Sequence, residues 1–221
     1  MPMVFFDMDG TIINFNVRYG SSWNAVALAA DKLDETYMLT DYYLPKPDLY
    51  SEWFEKQCAL LKGCSVKDVK DKILPPVYSE GAVETVREIK EMGFITGMIT
   101  GGIDPPARDI AEELKMDFCE CNDLLHENGY FTGKGKINVP LWDKKQNMTN
   151  VCERFGIKSD GNGIYRGVVT VGDHENELET FKIAEYSIAY RPASEKVRKA
   201  ADHVVNDLRD VPALIRKLNI F

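Results

Sequence analysis

The chain has 221 residues, of which 44% are apolar, enough for one large domain or a domain with an insert and too many for a disordered chain. Its formal net charge of −8 excludes a nucleic-acid binder, which needs a basic face, and gives no general attraction to an anionic membrane. An anionic ligand would therefore need a local cation against the overall field. The longest apolar run, "AVALAA" at 25–30, falls far short of the ~20 residues that span a bilayer. Cys58, Cys64, Cys119, Cys121 and Cys152 form an odd set without disulfide-framework or zinc spacing, which predicts reduced thiols and a cytoplasmic protein.

Residues 3–7, "MVFFD", predict a buried strand that ends in an acid. A different, aromatic-rich region follows from about 15 to 78, with helices expected at 21–34, 48–62 and 66–73. Ser65 is placed as an N-cap with Asp68 in the first turn, and Pro45 and Pro47 act as breakers. From 79 strands and helices alternate. Ser79 caps a helix that runs to Met92 and ends at Gly93; residues 94–100 form a strand; Asp104 caps the next helix with Pro105 in its first position. Asn128-Gly129 marks a hairpin tip. A helix at 143–155 ends at Gly156, a strand occupies 167–173, a helix 175–183, and "YSIAYRP" and "HVV" read as short final strands. Such alternation predicts an α/β fold, a Rossmann-like parallel sheet with helices on both faces. The core is expected to comprise 1–14 and 79–221, and residues 15–78 an inserted α-helical cap.

The strand ends carry the chemistry. Asp7 and Asp9 lie two apart, so an extended backbone turns both to one face. They sit at the carboxyl end of their strand, where open α/β sheets place the ligand crevice. Gly10 lets the chain turn sharply there; taken alone, Asp9-Gly10 also reads as a plain turn. Thr100 precedes Gly101-Gly102, and Asp173 follows Gly172, each at the end of an apolar strand. Lys144 and Lys145 open the helix that leads into the last of these strands. Acids, a hydroxyl and a lysine converging on one crevice suit phosphoryl transfer, where positioning and charge stabilisation do most of the work. A carboxylate about 4 Å from a phosphate dianion meets roughly 8 kcal/mol of repulsion at an effective dielectric near 20, so cations are required.

"DMDGT" at 7–11, Thr100, Lys144 and "GDHENE" at 172–177 together resemble the haloacid dehalogenase-like hydrolase superfamily. The early insert, "SEGAVETVREIKEMGF" and "NGYFTGKGKI" look like its phosphoserine phosphatase-like branch. The resemblance implies a Mg²⁺-dependent phosphomonoesterase that hydrolyses a small phosphorylated metabolite through an aspartyl-phosphate. It implies Asp7 as nucleophile, Asp9 as general acid and base, and phosphate contacts from Thr100, Gly101 and Lys144, with Lys145 a close alternative. Mg²⁺ is expected on Asp7, Asp173 and the backbone oxygen of Asp9, with Glu177 near the metal or the lysine. Glu177 and His174 stand where the family more often has Asp and Gly.

The cap departs from the family's phosphoserine pattern. Glu55 falls near the expected arginine and Asn16 at the expected glutamate; Arg18 or Lys56 could substitute as anion contacts, and Asn176 is a further candidate substrate contact. The cap aromatics, among them Tyr19, Trp23, Tyr42, Tyr43, Trp53 and Phe54, read first as the insert's own core and second as a pocket wall for an apolar or ring-bearing substrate. A phosphoserine phosphatase proper, or a phosphomutase on the same core, are the alternatives; a dehalogenase would not keep Asp9. Neither nucleic acid nor membrane is expected as a partner, and monomer and homodimer stay open.

Overall fold

The computed structural model describes residues 2–220. Seven strands, β1 (Met3–Phe6), β2 (Ile95–Asp104), β3 (Phe118–Glu127), β4 (Tyr130–Lys136), β5 (Tyr165–Gly172), β6 (Ala184–Tyr190) and β7 (His203–Val205), form one sheet in the order β4-β3-β2-β1-β5-β6-β7. Every pairing is parallel except the β3–β4 hairpin. This is the Rossmann-like α/β sheet expected from the alternation.

Strand β1 lies at the centre and is buried throughout, as a parallel strand covered on both faces should be. Its alternating side chains feed two apolar clusters. Val4 and Phe6 join the larger one; Met3 and Phe5 join another with Met148, Val151 and Cys152 of α7 (Lys145–Arg154). The register fixes the site. Phe6 is level with Met98 on β2 and Val171 on β5, so Asp7, Thr100 and Asp173 follow within two residues of that line, at one edge of the sheet.

Between β1 and β2 come α1 (Ser22–Ala29), α2 (Leu33–Tyr43), α3 (Tyr50–Leu60), α4 (Val66–Ile73) and α5 (Ala82–Glu91). The expected helix at 21–34 is broken by Asp31, whose φ of 56° is left-handed, so that α1 and α2 are separate. Ser65 caps α4 as anticipated, its side chain accepting from the Asp68 N–H. Two of the cap aromatics, Trp23 and Phe54, join the core of the sheet rather than a private one. Phe54 and Cys58 sit in the same cluster as Val4, Phe6 and Met98, and Trp23 packs on Phe54 with ring centroids 5.4 Å apart. Glycine makes the contact between α3 and β4 possible: a Cβ on Gly135 would stand 2.8 Å from both Cys58 Sγ and Phe54 Cε1.

Two expectations along β2 need correction. The strand does not stop at Thr100 but continues to Asp104, and the next helix, α6 (Ala107–Glu113), starts three residues after Asp104. Two consecutive prolines explain both. Each disfavours the helical region for the residue before it, so Asp104 and Pro105 cannot open a helix and the extended chain runs on. The ladder to β3 is interrupted between the Ile99–Glu120 and Ile103–Asn122 pairs. Thr100, Gly101 and Gly102 occupy that interruption, with three residues on β2 facing one on β3, as in a bulge that re-aims the chain. The helix expected at 175–183 shrinks to a 3₁₀ turn at Glu175–Glu177 and the short α8 (Leu178–Phe181). Helices α9 (Glu195–Ala200) and α10 (Asp210–Lys217) complete the chain.

Candidate active site

A cavity of about 270 Å³ opens at the edge of the sheet where β1, β2 and β5 end. Asp7, Asp9, Gly10, Thr100, Gly101, Gly102 and Asp173 line its floor. The wall above comes from the insert, through Tyr19, Trp23, Thr40, Trp53 and Gln57, and from Trp142 and His174 at the side.

Lys144, immediately before α7, is fully buried beneath this floor. Its Nζ donates to Asp7 Oδ1 at 2.7 Å and also to Glu177 Oε1. Burial works against a charged ammonium, but the charges of Asp7 and Glu177 outweigh it and hold the Lys144 pKa above the ordinary lysine value. Lys145 is exposed, which settles which lysine of the pair reaches Asp7.

The second acid is held by the insert. Ser22, the first residue of α1, donates to Asp9 through its N–H, 2.9 Å to Oδ1, and its hydroxyl, 2.8 Å to Oδ2. Desolvation and the neighbouring Asp7 charge still prevail, and the Asp9 pKa is raised to about 7. A carboxyl in that range gives and takes a proton near neutrality, as a general acid and base must. Asp173 accepts from Thr11 Oγ1 at 3.1 Å. Its pKa too is pushed up, by burial and then by Asp7. A Cβ on Gly10 would collide with the Asp173 carboxylate, and Gly10 has φ +82°, so this position requires glycine twice over.

The Thr100 side of the cavity is built on the β2 interruption. The Gly102 N–H donates to Thr100 Oγ1 at 2.9 Å, which leaves the hydroxyl proton of Thr100 for a ligand. Asn122, fully buried on β3, donates from Nδ2 to the Gly101 carbonyl at 2.9 Å. Its Oδ1 accepts from the N–H groups of Asn138 and Val139, at 2.8 and 2.9 Å. One amide thus clamps the Thr100–Gly102 segment to the segment leading to Lys144.

Of the residues singled out in the sequence, Asp7, Asp9, Thr100, Gly101, Asp173 and Asn176 meet at the cavity, with Lys144 and Glu177 beneath it. Arg18 and Glu55 do not line it. The Arg18 guanidinium is paired with Asp41, at 3.2 and 2.9 Å, and lies over the Tyr19 ring on the exposed side of the insert. Glu55 is exposed, and so are Lys56 and Asn16. Glu55 lies outside the cavity because α3 presents Trp53 and Gln57, four residues apart, to it, and a residue two along from Trp53 is on another face. Sequence reasoning also missed Ser22, Thr11 and Asn122. Thr11 belongs to the acid motif and could have been found there; Asn122 acts across a fold-dependent distance, and nothing local marks it.

The donor set fits a hard divalent cation. Asp7 and Asp173 offer carboxylates at the cavity, while Glu177 and one oxygen of Asp7 are taken by the buried Lys144 ammonium. No group of three or more metal-ligating side chains converges among the described residues. Mg²⁺ suits such a site, since it is commonly held by one or two carboxylates plus waters and substrate phosphate rather than by an all-protein cage.

The family model for haloacid dehalogenase-like hydrolases matches residues 4–182. A phosphoserine phosphatase of Methanocaldococcus jannaschii is 26% identical over 216 residues, covering 97% of each chain. One from Archaeoglobus fulgidus is 30% identical over 207 residues, 90% of this chain and 55% of that longer relative. A solved phospho-aspartyl intermediate analogue of phosphoserine phosphatase superposes with a TM-score of 0.78 at 24% identity, covering 96% of this chain and 98% of its own; that likeness speaks to the fold.

Proposed function

The chain belongs to the haloacid dehalogenase-like hydrolases, and from that premise we propose that it is a Mg²⁺-dependent phosphomonoesterase acting on a small phosphorylated metabolite. One observation carries the reading: Asp7, Asp9, Thr100, Gly101 and Asp173 share a single cavity while Lys144 is buried against Asp7. Relatives named phosphoserine phosphatase support it.

The Thr100 hydroxyl and the Gly101 N–H hold phosphate oxygens, and Lys144 fixes the Asp7 carboxylate through Oδ1. The other Asp7 oxygen attacks phosphorus as the ester P–O bond breaks, and Asp9 passes its proton to the departing alkoxide oxygen. The product is an aspartyl-phosphate on Asp7. Asp9, now ionised, takes a proton from a water whose oxygen attacks phosphorus. The acyl-phosphate P–O bond breaks, inorganic phosphate leaves, and both acids return to their first state. Asp7, Asp173 and the backbone oxygen of Asp9 would hold Mg²⁺. The ion supplies charge neutralisation between carboxylate and phosphate, the repulsion that a lone lysine leaves partly uncompensated.

Hydrolysis is favoured over phosphomutation because no histidine or lysine of the insert lines the cavity among the described residues. Phosphoserine is the second substrate reading, favoured by the names of the relatives. No described helix is long and apolar enough to cross a membrane, and the five cysteines are all free, in keeping with a reducing, cytoplasmic setting. The test is phosphate release from an aryl phosphate with and without Mg²⁺. Asp7→Asn should lower turnover at least ~10³-fold with an unchanged circular dichroism spectrum. Turnover near that of the parent would remove Asp7 from the role of nucleophile.

A further inference from the structure

Three of the residues that line the cavity carry a buried polar atom with no partner. Trp53 Nε1, Gln57 Oε1 and Asn176 Oδ1 are buried and make no hydrogen bond. Their residues are 7%, 5% and 8% exposed, and all three line the cavity. Six such atoms occur among the described side chains, and half of them belong to residues that line this one space. A buried polar group left unpaired is costly, so a cluster of them in a binding cavity marks where a ligand supplies the partners.

The chemistry of that ligand follows from what is offered and what is missing. The indole N–H can only donate, and the two amide oxygens only accept. A carboxylate has no proton for Gln57 Oε1 or Asn176 Oδ1, and it would share the cavity with Asp7, Asp9 and Asp173. No lysine or arginine lines the cavity among the described residues, and the insert's nearby Arg18 is already committed to Asp41. An ammonium has no acceptor for the Trp53 N–H. A hydroxyl both donates and accepts, and a group of two or three hydroxyls serves all three atoms. The aromatic rings of Tyr19, Trp23 and Trp142 offer flat apolar surface for the C–H faces between those hydroxyls.

Resting on the phosphatase reading above, we infer that the ester accepted here is a monophosphate of the polyol or sugar class, whose alcohol part bears hydroxyls and no charge, and that Trp53 and Gln57 select it. A volume of about 270 Å³ holds a phosphate and a short carbon skeleton. An amino-acid phosphate is disfavoured because no lysine or arginine lines the cavity to meet its carboxylate among the described residues. Trp53 and Gln57 stand one turn apart on α3, so the insert presents both to the same substrate edge.

The test uses the whole chain with Mg²⁺ and follows phosphate release. An aryl phosphate serves as the reaction control, beside a series of glycerol, tetritol, pentose and hexose monophosphates, and phosphoserine and phosphoglycerate as carboxylate-bearing esters. The expected result is a kcat/KM for the best neutral ester at least tenfold above that for either carboxylate ester. Aryl phosphate turnover with no neutral ester reaching that margin overturns the inference and spares the phosphatase. No turnover of any ester overturns the phosphatase reading itself. The second measurement is the ratio of kcat/KM for the best ester to that for its deoxy analogue. Trp53→Phe keeps an aromatic ring and removes the N–H, and Gln57→Leu removes the amide; either should collapse a ratio of tenfold or more toward one, chiefly through KM. A ratio unchanged in both variants overturns the assignment of these two residues.

Discussion

Lys144 is the residue on which the catalytic floor balances. It is fully buried and contacts two carboxylates, so removing it strands Asp7 and Glu177 without a counter-charge. Breaking a buried pair by deleting one partner costs about 3–5 kcal/mol. Lys144→Met should therefore lower stability by roughly that amount in urea unfolding and abolish phosphate release. Adding Glu177→Gln to that variant removes one stranded charge and should restore part of the stability but none of the activity. Full additivity of the two substitutions would show that the lysine and Glu177 are not coupled. The acids are legible in the sequence alone because they follow apolar strands next to glycine turns; that Asp7 and Asp9 meet at one cavity is set by the turn after β1, since the strand ends at Phe6. Which lysine serves them is not legible there. Lys144 and Lys145 are neighbours at a helix start, and the choice depends on the angle at which α7 meets the sheet. Glu55 lies outside the cavity because the phase of α3 is fixed by packing and not by the composition of the run, and Arg18, in the turn before α1, is paired with Asp41.

The element that shapes the Thr100 side of the cavity is the interrupted β2, and its support is a side chain on β3, two strands along the sheet from β1. Asn122 holds the Gly101 carbonyl with one end of its amide and the Asn138 and Val139 N–H groups with the other. Asn122→Ala removes these three hydrogen bonds at a buried site and releases the loop that aims the Thr100 hydroxyl. A displacement near 1 Å at a catalytic centre can cost on the order of 10²-fold in rate. We expect kcat to fall roughly 10- to 100-fold and stability by about 1–3 kcal/mol; Asn122→Asp, which keeps the acceptor but loses the donor, should fall between parent and alanine. An alanine variant with the parent's kcat would show that the clamp does not position the loop. Sheet, hairpin and most helices were legible from their apolar periods and glycine signals. The β2 bulge was not, because its cause is split between two prolines downstream and an asparagine on another strand.

At the scale of the molecule, the fold concentrates negative charge at the mouth of its sheet. Asp9, raised to about 7 by burial and by Asp7, and Asp173 and Glu177, raised by burial, all bind protons more tightly in the folded chain than in the unfolded one. Where the native state binds more protons than the unfolded state, stability falls as pH rises. The contribution is fully present below the ordinary carboxylate pKa of about 4 and is lost as pH climbs through about 7. In a chelator, the melting temperature should thus drop between about pH 5 and pH 7.5, by on the order of 5–10 °C at the ~2–4 °C per kcal/mol typical of a chain this long. Saturating Mg²⁺ favours the ionised carboxylates and should flatten that slope, with the largest rescue at the high-pH end. Asp173→Asn removes one of the crowded acids and one expected metal ligand together. Without Mg²⁺ it should melt higher than the parent at about pH 7.5, and Mg²⁺ should add little. Such a pattern follows only if one set of carboxylates both destabilises the chelated protein and holds the ion. A chelated parent whose melting temperature is flat across this range, or an Asp173→Asn variant that Mg²⁺ stabilises as fully as the parent, would separate the two.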